Sequence, residues 1–106
     1  MKQSDESAFK VPMFSIITVC FNAGSTIRPT LESVDAQTCR LYEHIIVDGA
    51  SKDDTLAIAA AHSNPLRRVV SEPDRGIYDA MNKGLGMATG EYVIFLNAGD
   101  SFHSGD

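Results

Sequence analysis

Short apolar segments alternate with amphipathic helical segments along the chain, in the order β-α-β-α-β-α-β. The apolar segments are rich in β-branched residues, which favour strands buried inside a sheet. The helical segments repeat apolar residues at three- and four-residue spacing, which indicates one buried face on each helix. Strict alternation with short connections favours an α/β fold with a mainly parallel sheet flanked by helices. We predict strands at residues 14–20, 42–47, 66–71 and 92–96.

Length and composition limit the range of functions. The chain has 106 residues, enough for one hydrophobic core, and we expect a flexible segment at residues 1–13 and one domain at residues 14–106. A net charge of −5 without a basic run disfavours nucleic-acid binding. Residues 1–13 lack the apolar stretch of a signal peptide, and no apolar run approaches the roughly 20 residues that cross a bilayer. Cys20 and Cys39 are expected to be reduced, which favours a cytoplasmic location.

Polar residues mark the predicted helix starts. Ser25 or Thr26 is expected to cap the first helix, and Ser51 with Asp54 has the spacing of a capping box for the second. The third helix is predicted at residues 76–87. Its buried face is expected to carry two rows of residues: Ile77, Met81 and Leu85, and Ala80, Gly84 and Ala88.

Polar and acidic residues follow each predicted strand. They include Asn22, Asp48, the 72–74 segment and the 97–100 segment. Because parallel strands share one carboxyl edge, these residues should lie near one another, at the edge where open α/β sheets bind ligands. Solvation of the strand ends is the alternative explanation for their polarity. The pattern favours a ligand site.

Five segments, taken in order, resemble the family 2 glycosyltransferases, which have the GT-A fold. They are FSIITVCFNAGSTI, TLESVDAQT, HIIVDGASKDDT, SEPDRGIYDAMNKG and ATGEYVIFLNAGD. The resemblance covers nearly the whole chain from Phe14 onward and implies the Rossmann-like, nucleotide-sugar-binding half of a GT-A domain. The resemblance therefore implies that the polar edge of the sheet binds the nucleotide-sugar donor.

The resemblance implies two residues at the nucleotide base. Phe21 corresponds to the aromatic residue near the base, where stacking on a ring face is worth about 1–3 kcal/mol. Asp48 corresponds to the acidic residue that accepts a hydrogen bond from the base, typically from the uracil N–H. An ionised carboxylate suits that role because it only accepts hydrogen bonds. The alternatives are a core position for Phe21 and a turn or capping role for Asp48.

The third segment resembles a variant found in part of the family. It implies that Asp74 and Arg75 lie near the ribose or the diphosphate, where a guanidinium could pair with phosphate. Asp79 is expected to face the donor from the start of the third helix. The alternative for Asp79 is an i,i+4 ion pair with Lys83 on a solvated face.

The chain departs from the family at the metal motif, an acidic DxD sequence after the fourth strand that binds Mn²⁺ or Mg²⁺. Those positions hold Asn97, Ala98 and Gly99 here, followed by Asp100. Carboxylate oxygens suit these hard cations, so we expect Asp100 to be the metal ligand and Asn97 to contact the ribose or the water on the metal. His103 is a candidate second ligand or a surface histidine.

The resemblance implies an inverting glycosyltransferase that uses a nucleoside-diphosphate sugar, with UDP expected as the nucleotide, to extend a glycan or lipid-linked saccharide. Its general base is expected beyond Asp106, in an acceptor half that this chain does not include. A non-catalytic binding module on the same scaffold is the alternative. The uncovered sheet edge would allow a homodimer, and a cytoplasmic chain of this kind could act at the inner face of a membrane.

Overall fold

The computed structural model describes residues 12–38 and 40–99 and contains one four-stranded parallel sheet in the order β3-β2-β1-β4. The strands are β1 (Phe14–Cys20), β2 (Tyr42–Asp48), β3 (Arg67–Ser71) and β4 (Tyr92–Phe95). The helices are α1 (Ile27–Asp35), α2 (Thr55–Ala61) and α3 (Ile77–Met87). The predicted order of elements and the α/β class are confirmed. Residues 1–11 of the segment predicted to be flexible lie outside the described residues, whereas the Met13 backbone bonds to Leu41 and Tyr92.

The two central strands form the middle of the core. Both β1 and β2 have seven residues, and all but one residue of each is buried. Their register pairs Ile17 with Ile45 and Cys20 with Asp48, so the two strands end side by side. Continuous apolar, β-branched sequence is what a parallel sheet covered on both faces requires. The edge strands β3 and β4 are much more exposed.

Helices cover both faces of the sheet. One face packs against α1 and α2 through a cluster that includes Ile27, Leu31 and Ile46, and the other packs against α3 through Ile17 and Ile45. Side chains alternate along each strand, so β1 and β2 supply residues to both clusters. The layers are therefore helices, sheet and helix.

The third helix packs on its small residues. Ala80 and Gly84 are buried, and a Cβ atom at Gly84 would lie 2.5 Å from Cγ2 of Ile17. Ile77 and Leu85 are 48% and 45% exposed, so the prediction that both lie on the inner face is wrong. The α3 backbone lies so close to β1 that only small side chains fit between them. The larger side chains of α3 therefore lie beside this contact and not within it.

Candidate functional site

A cavity of about 440 Å³ lies at the carboxyl edge of the sheet, on the side covered by α3. All four strands end at this edge because they are parallel, so the loops that follow them meet there. The lining residues come from the end of β1, from each of those loops and from the first turn of α3: Val19, Cys20, Phe21, Gly49, Asp74, Gly76, Ile77, Ala80 and Asn97. A mainly apolar cleft with few polar groups is typical of a small-molecule site.

Asp48 lies beneath this edge and not in the cavity wall. Its residue surface is fully buried, and both carboxylate oxygens accept hydrogen bonds. Oδ1 accepts from the Ser51 hydroxyl at 2.5 Å and from the Cys20 thiol at 3.4 Å, and Oδ2 accepts from the Ser51 N–H and the Ser71 hydroxyl, both at 2.8 Å. Burial alone would raise the pKa of Asp48, but the hydrogen bonds from Ser51 and Ser71 outweigh it and lower that pKa. The carboxylate therefore holds the ends of β1, β2 and β3 together.

Ser51 serves this network and does not cap α2. Helix α2 begins at Thr55, with Asp54 in the N-cap position and no hydrogen bond from its side chain, so the predicted capping box is wrong. The Ser51 hydroxyl instead donates to Asp48 and accepts from the Asn22 N–H at 2.8 Å. The physical reason is that a buried carboxylate needs donors more than an exposed helix end does.

The loops after β1 and β2 are joined by further hydrogen bonds. Oδ1 of Asn22 accepts from the Lys52 N–H at 2.8 Å, and the Thr55 hydroxyl accepts from the Ala23 N–H at 2.8 Å. Asn22 has φ = 49°, in the left-handed region that Asn tolerates better than most residues. These bonds fix the backbone directly after Phe21.

Phe21 projects from this fixed backbone at the mouth of the cavity. Its surface is 60% exposed, and it belongs to the cavity lining. The core alternative for Phe21 is therefore excluded. An exposed phenyl ring at the edge of a cleft leaves a face on which a flat ligand ring can stack.

The β3–α3 loop brings Asp74 to the opposite wall. Oδ1 of Asp74 accepts from the Gly76 N–H at 3.0 Å, which fixes the side chain, and Gly76 takes φ = 118°. A residue with a side chain would be strained in that conformation. Arg75 is exposed and precedes the helix, and its side chain is not part of the cavity lining.

Asp79 and Lys83 hold that loop from α3. Oδ2 of Asp79 accepts from the Arg75 N–H at 2.9 Å and lies 3.7 Å from Nζ of Lys83. Nζ of Lys83 also donates to the Pro73 carbonyl at 2.8 Å and pairs with Glu72 at 3.1 Å. The i,i+4 pair is therefore present, and Asp79 contacts the loop and is not a lining residue. Its predicted contact with the donor stays a prediction.

Asn97 supplies the polar group at the β4 side of the cavity. Its Oδ1 atom is buried and accepts no hydrogen bond from any residue that the structure describes. An orphaned buried acceptor is costly, so it points to a donor or a cation that comes from outside this part of the chain. Asp100, the predicted metal ligand, and His103 lie outside the described residues. Within residues 12–38 and 40–99, no three acidic, His or Cys side chains form a metal cluster.

The sequence did not predict six of the nine lining residues as site residues, namely Val19, Cys20, Gly49, Gly76, Ile77 and Ala80. Gly49 directly follows Asp48 at the end of β2, so its place at the carboxyl edge is predictable from the sequence. Ile77 was assigned to the core because its spacing fits an apolar helix face, although it lines the cavity. Cys20 and Gly76 also belong to the lining, and burial and then Asp48 raise the pKa of the Cys20 thiol beyond its usual range. This thiol is therefore protonated, and it donates to Oδ1 of Asp48.

The model of glycosyl transferase family 2 matches residues 15–106. The chain belongs to this family. Family 2 membership confirms the resemblance drawn from the five segments. Among the described residues, no helix has the length and apolar character needed to cross a membrane.

Two solved structures and one sequence relative illustrate the similarity. The chain is 42% identical over 98 residues to a PGL/p-HBAD biosynthesis glycosyltransferase of Mycobacterium tuberculosis, covering 90% of this chain and 38% of the relative. It is 30% identical, with a TM-score of 0.80, to the mannosyltransferase PcManGT of Pyrobaculum calidifontis in complex with GDP-Man and Mn²⁺, covering 88% and 29% of the two chains. It is also 30% identical, with a TM-score of 0.78, to Staphylococcus aureus TarS 1–349 in complex with UDP-GlcNAc. That match covers 83% of this chain and 27% of the TarS chain.

These similarities confirm the GT-A fold. They also show that the chain spans well under half the length of the relatives it matches.

Proposed function

We propose that this chain forms the donor-binding part of an inverting glycosyltransferase. The enzyme would transfer a sugar from a nucleoside-diphosphate sugar, with UDP as the nucleotide, to a glycan or lipid-linked saccharide acceptor. The cavity carries the proposal, because it combines an exposed aromatic face at Phe21 with polar groups at Asp74 and Asn97. TarS in complex with UDP-GlcNAc supports the choice of nucleotide.

The chemistry of the cavity suits the parts of such a donor. The Phe21 ring offers a stacking surface for the base, a contact worth about 1–3 kcal/mol. Arg75 is exposed next to the cavity, and its guanidinium has no side-chain partner among the described residues. In the proposal it pairs with the diphosphate, for which its planar fork of donors is well shaped.

A divalent metal is the expected cofactor, either Mn²⁺ or Mg²⁺, since PcManGT is seen with Mn²⁺. The described residue that tests this expectation is Asn97, whose buried Oδ1 lacks a partner. An amide oxygen is an acceptable ligand for a hard cation, so Asn97 fits either the metal or water bound to it. Asp100 is proposed as the carboxylate ligand. A bound metal would neutralise charge on the departing nucleoside diphosphate.

Deprotonation of the acceptor hydroxyl requires a general base. We propose that it lies beyond Asp106, as the resemblance to the family implies. The chain is also proposed to be cytoplasmic, acting at the inner face of a membrane, and its unpaired Cys20 supports a reducing compartment.

Exposed Tyr92, Val93 and Phe95 on edge strand β4 support a homodimer.

A non-catalytic nucleotide-binding module is the second candidate. The observation that favours it is the sequence Asn97-Ala98-Gly99 at the positions of the acidic metal motif. A module of this kind would bind the nucleoside diphosphate without a metal dependence. Metal dependence therefore separates the two candidates.

Calorimetric titration of this chain with UDP, with and without Mn²⁺, tests the proposal, with GDP and dTDP as competing nucleotides. We expect UDP to bind most tightly, Mn²⁺ to strengthen binding, and Asp100→Ala to remove the Mn²⁺ effect. Phe21→Ala should weaken binding about tenfold through loss of stacking, whereas Phe21→Tyr, the matched control, should retain it. Failure of every nucleoside diphosphate to bind the folded chain at millimolar concentration would contradict the proposal.

A further inference from the structure

Two carboxylates stand near the end of β2, and only one of them is available to a ligand. Asp48 is fully buried, and donors from Ser51, Ser71 and Cys20 occupy both of its oxygens. Asp74 lines the cavity, and its Oδ1 atom is fixed by the Gly76 N–H. Its Oδ2 atom accepts no hydrogen bond from the residues that the structure describes. Asp74 is therefore the carboxylate that a bound nucleotide can reach.

The position of Asp74 follows from the glycine that comes after Asp48. A Cβ atom built on Gly49 would lie 2.8 Å from Oδ2 of Asp74 and 3.3 Å from its Cγ. The Asp74 carboxylate thus occupies the space that a side chain at position 49 would fill. Any larger residue there would displace it, because 2.8 Å is shorter than real contacts of a Cβ atom.

We infer that Asp74, and not Asp48, reads the base of the nucleotide, by accepting a hydrogen bond from the ring N–H that uracil carries at N3. The inference rests on the proposed function, since it assigns a specificity-determining residue within the same donor site. It differs from the expectation that Asp74 lies at the ribose or the diphosphate.

Charge and geometry favour the base over the other parts of the donor. A carboxylate only accepts hydrogen bonds, so Oδ2 requires a donor from the ligand. The diphosphate has none and would be repelled by a like charge at short range. Phe21 lines the same cavity, so a base stacked on its ring would turn a polar edge toward the wall. Asn97, on the far side across β1 and β2, is left for the remaining polar groups.

Asp74→Asn provides a sharp test because it replaces the acceptor Oδ2 with a hydrogen-bond donor and keeps the shape of the side chain. The Asn oxygen can still accept from the Gly76 N–H, so the amide nitrogen takes the place of Oδ2 and becomes a donor. Uracil carries N–H at ring position 3, whereas cytosine carries an acceptor nitrogen there. We therefore expect the ratio of UDP to CDP affinity to fall about tenfold or more in Asp74→Asn, with CDP binding strengthened.

The titrations use this chain, its Asp74→Asn variant and Glu91→Gln, with UDP, CDP and 2′-deoxy-UDP as ligands. Glu91 precedes β4 at the opposite edge of the sheet, so Glu91→Gln removes the same charge and should keep the UDP preference. An unchanged UDP-to-CDP ratio in Asp74→Asn would overturn the inference. Equal weakening of UDP and CDP, with no further loss for 2′-deoxy-UDP, would overturn it in favour of a ribose contact. If no nucleotide binds the unmodified chain, the proposed function itself fails.

Discussion

Arg67 donates from Nε to Nδ1 of His44 at 2.9 Å, and Nε2 of the same ring lies 2.7 Å from the Thr18 hydroxyl. Because Arg67 can only donate, Nδ1 must accept, and the proton of the neutral ring sits on Nε2. Arg67 also pairs with Asp35 at 2.6 Å, so the network ties β3 to β2, β1 and α1. A fully buried histidine beside a guanidinium is therefore a fixed part of the core.

Stability should fall as pH is lowered from about 6.5. Burial first, and Arg67 second, lower the pKa of His44 from 6.5 to about 3. Between these values the unfolded chain takes up a proton that the folded chain does not, so the free energy of unfolding decreases as pH falls, by up to about 1.4 kcal/mol per pH unit. Chemical denaturation at pH 7, 6 and 5 measures this slope.

His44→Gln should flatten the slope between pH 6.5 and 5, whereas His62→Gln should leave the His44 contribution intact. The lowered pKa values of Glu43 and Asp48 add stability that is present above their unfolded pKa values of 4.5 and 3.8 and is lost only below them. Their contribution therefore appears at lower pH than that of His44. An equal slope in His44→Gln and the unmodified chain would contradict this account.

Ala50→Gly should stabilise the chain. Ala50 has φ = 64°, a left-handed conformation that costs a residue with a Cβ atom about 1–2 kcal/mol. Glycine removes this strain but gains entropy in the unfolded state, so the expected net gain is about 0.5–1 kcal/mol. Asn22→Gly is the matched control at φ = 49°, where stability should fall because the bond from the Lys52 N–H to Oδ1 is lost. Thermal unfolding of both variants measures the difference, and a loss of stability in Ala50→Gly would contradict the prediction.

Asp48→Ala should destabilise the fold more than it changes base preference. It leaves the hydroxyls of Ser51 and Ser71 and the Ser51 N–H without their acceptor, and each unsatisfied buried group costs about 1–3 kcal/mol. We expect a loss of about 3 kcal/mol or more in the free energy of unfolding, measured by denaturant titration. If Asp48→Ala left stability unchanged and abolished UDP binding, Asp48 and not Asp74 would be the residue that accepts the hydrogen bond from the base.

The sequence predicts the sheet and the helices well because their signals are local. Continuous β-branched runs predict β1 and β2, and a helical apolar period predicts α3. Strict β-α alternation then leaves few arrangements besides a parallel sheet. The same sequence predicts that Asp48 and Phe21 stand at one edge. It does not predict which of them faces the cavity, because that depends on contacts between residues about 30 positions apart, such as the bond from the Asn22 N–H to Ser51.

Two errors in the sequence-based predictions arise from tertiary structure. Ile77 fits an apolar helix face, and Ser51 fits a capping box, yet each is used differently in the fold. The close approach of α3 at Gly84 pushes Ile77 toward the cavity, and the buried Asp48 carboxylate recruits Ser51. Tertiary packing and burial of charge therefore override the local preference, and both effects act at the site.

Lys83→Met should weaken nucleotide binding without unfolding the chain. Nζ of Lys83 holds the Pro73 carbonyl and Glu72, and thereby the loop that carries Asp74. Partly exposed ion pairs of this kind contribute about 0.2–1 kcal/mol, so thermal stability should change little, while UDP affinity should fall about two- to fivefold as the loop loosens. Lys52→Met is the matched control, since it removes the same charge from an exposed residue away from that loop. Calorimetric titration of both variants with UDP compares the two, and equal affinity would show that Asp74 is held without Lys83.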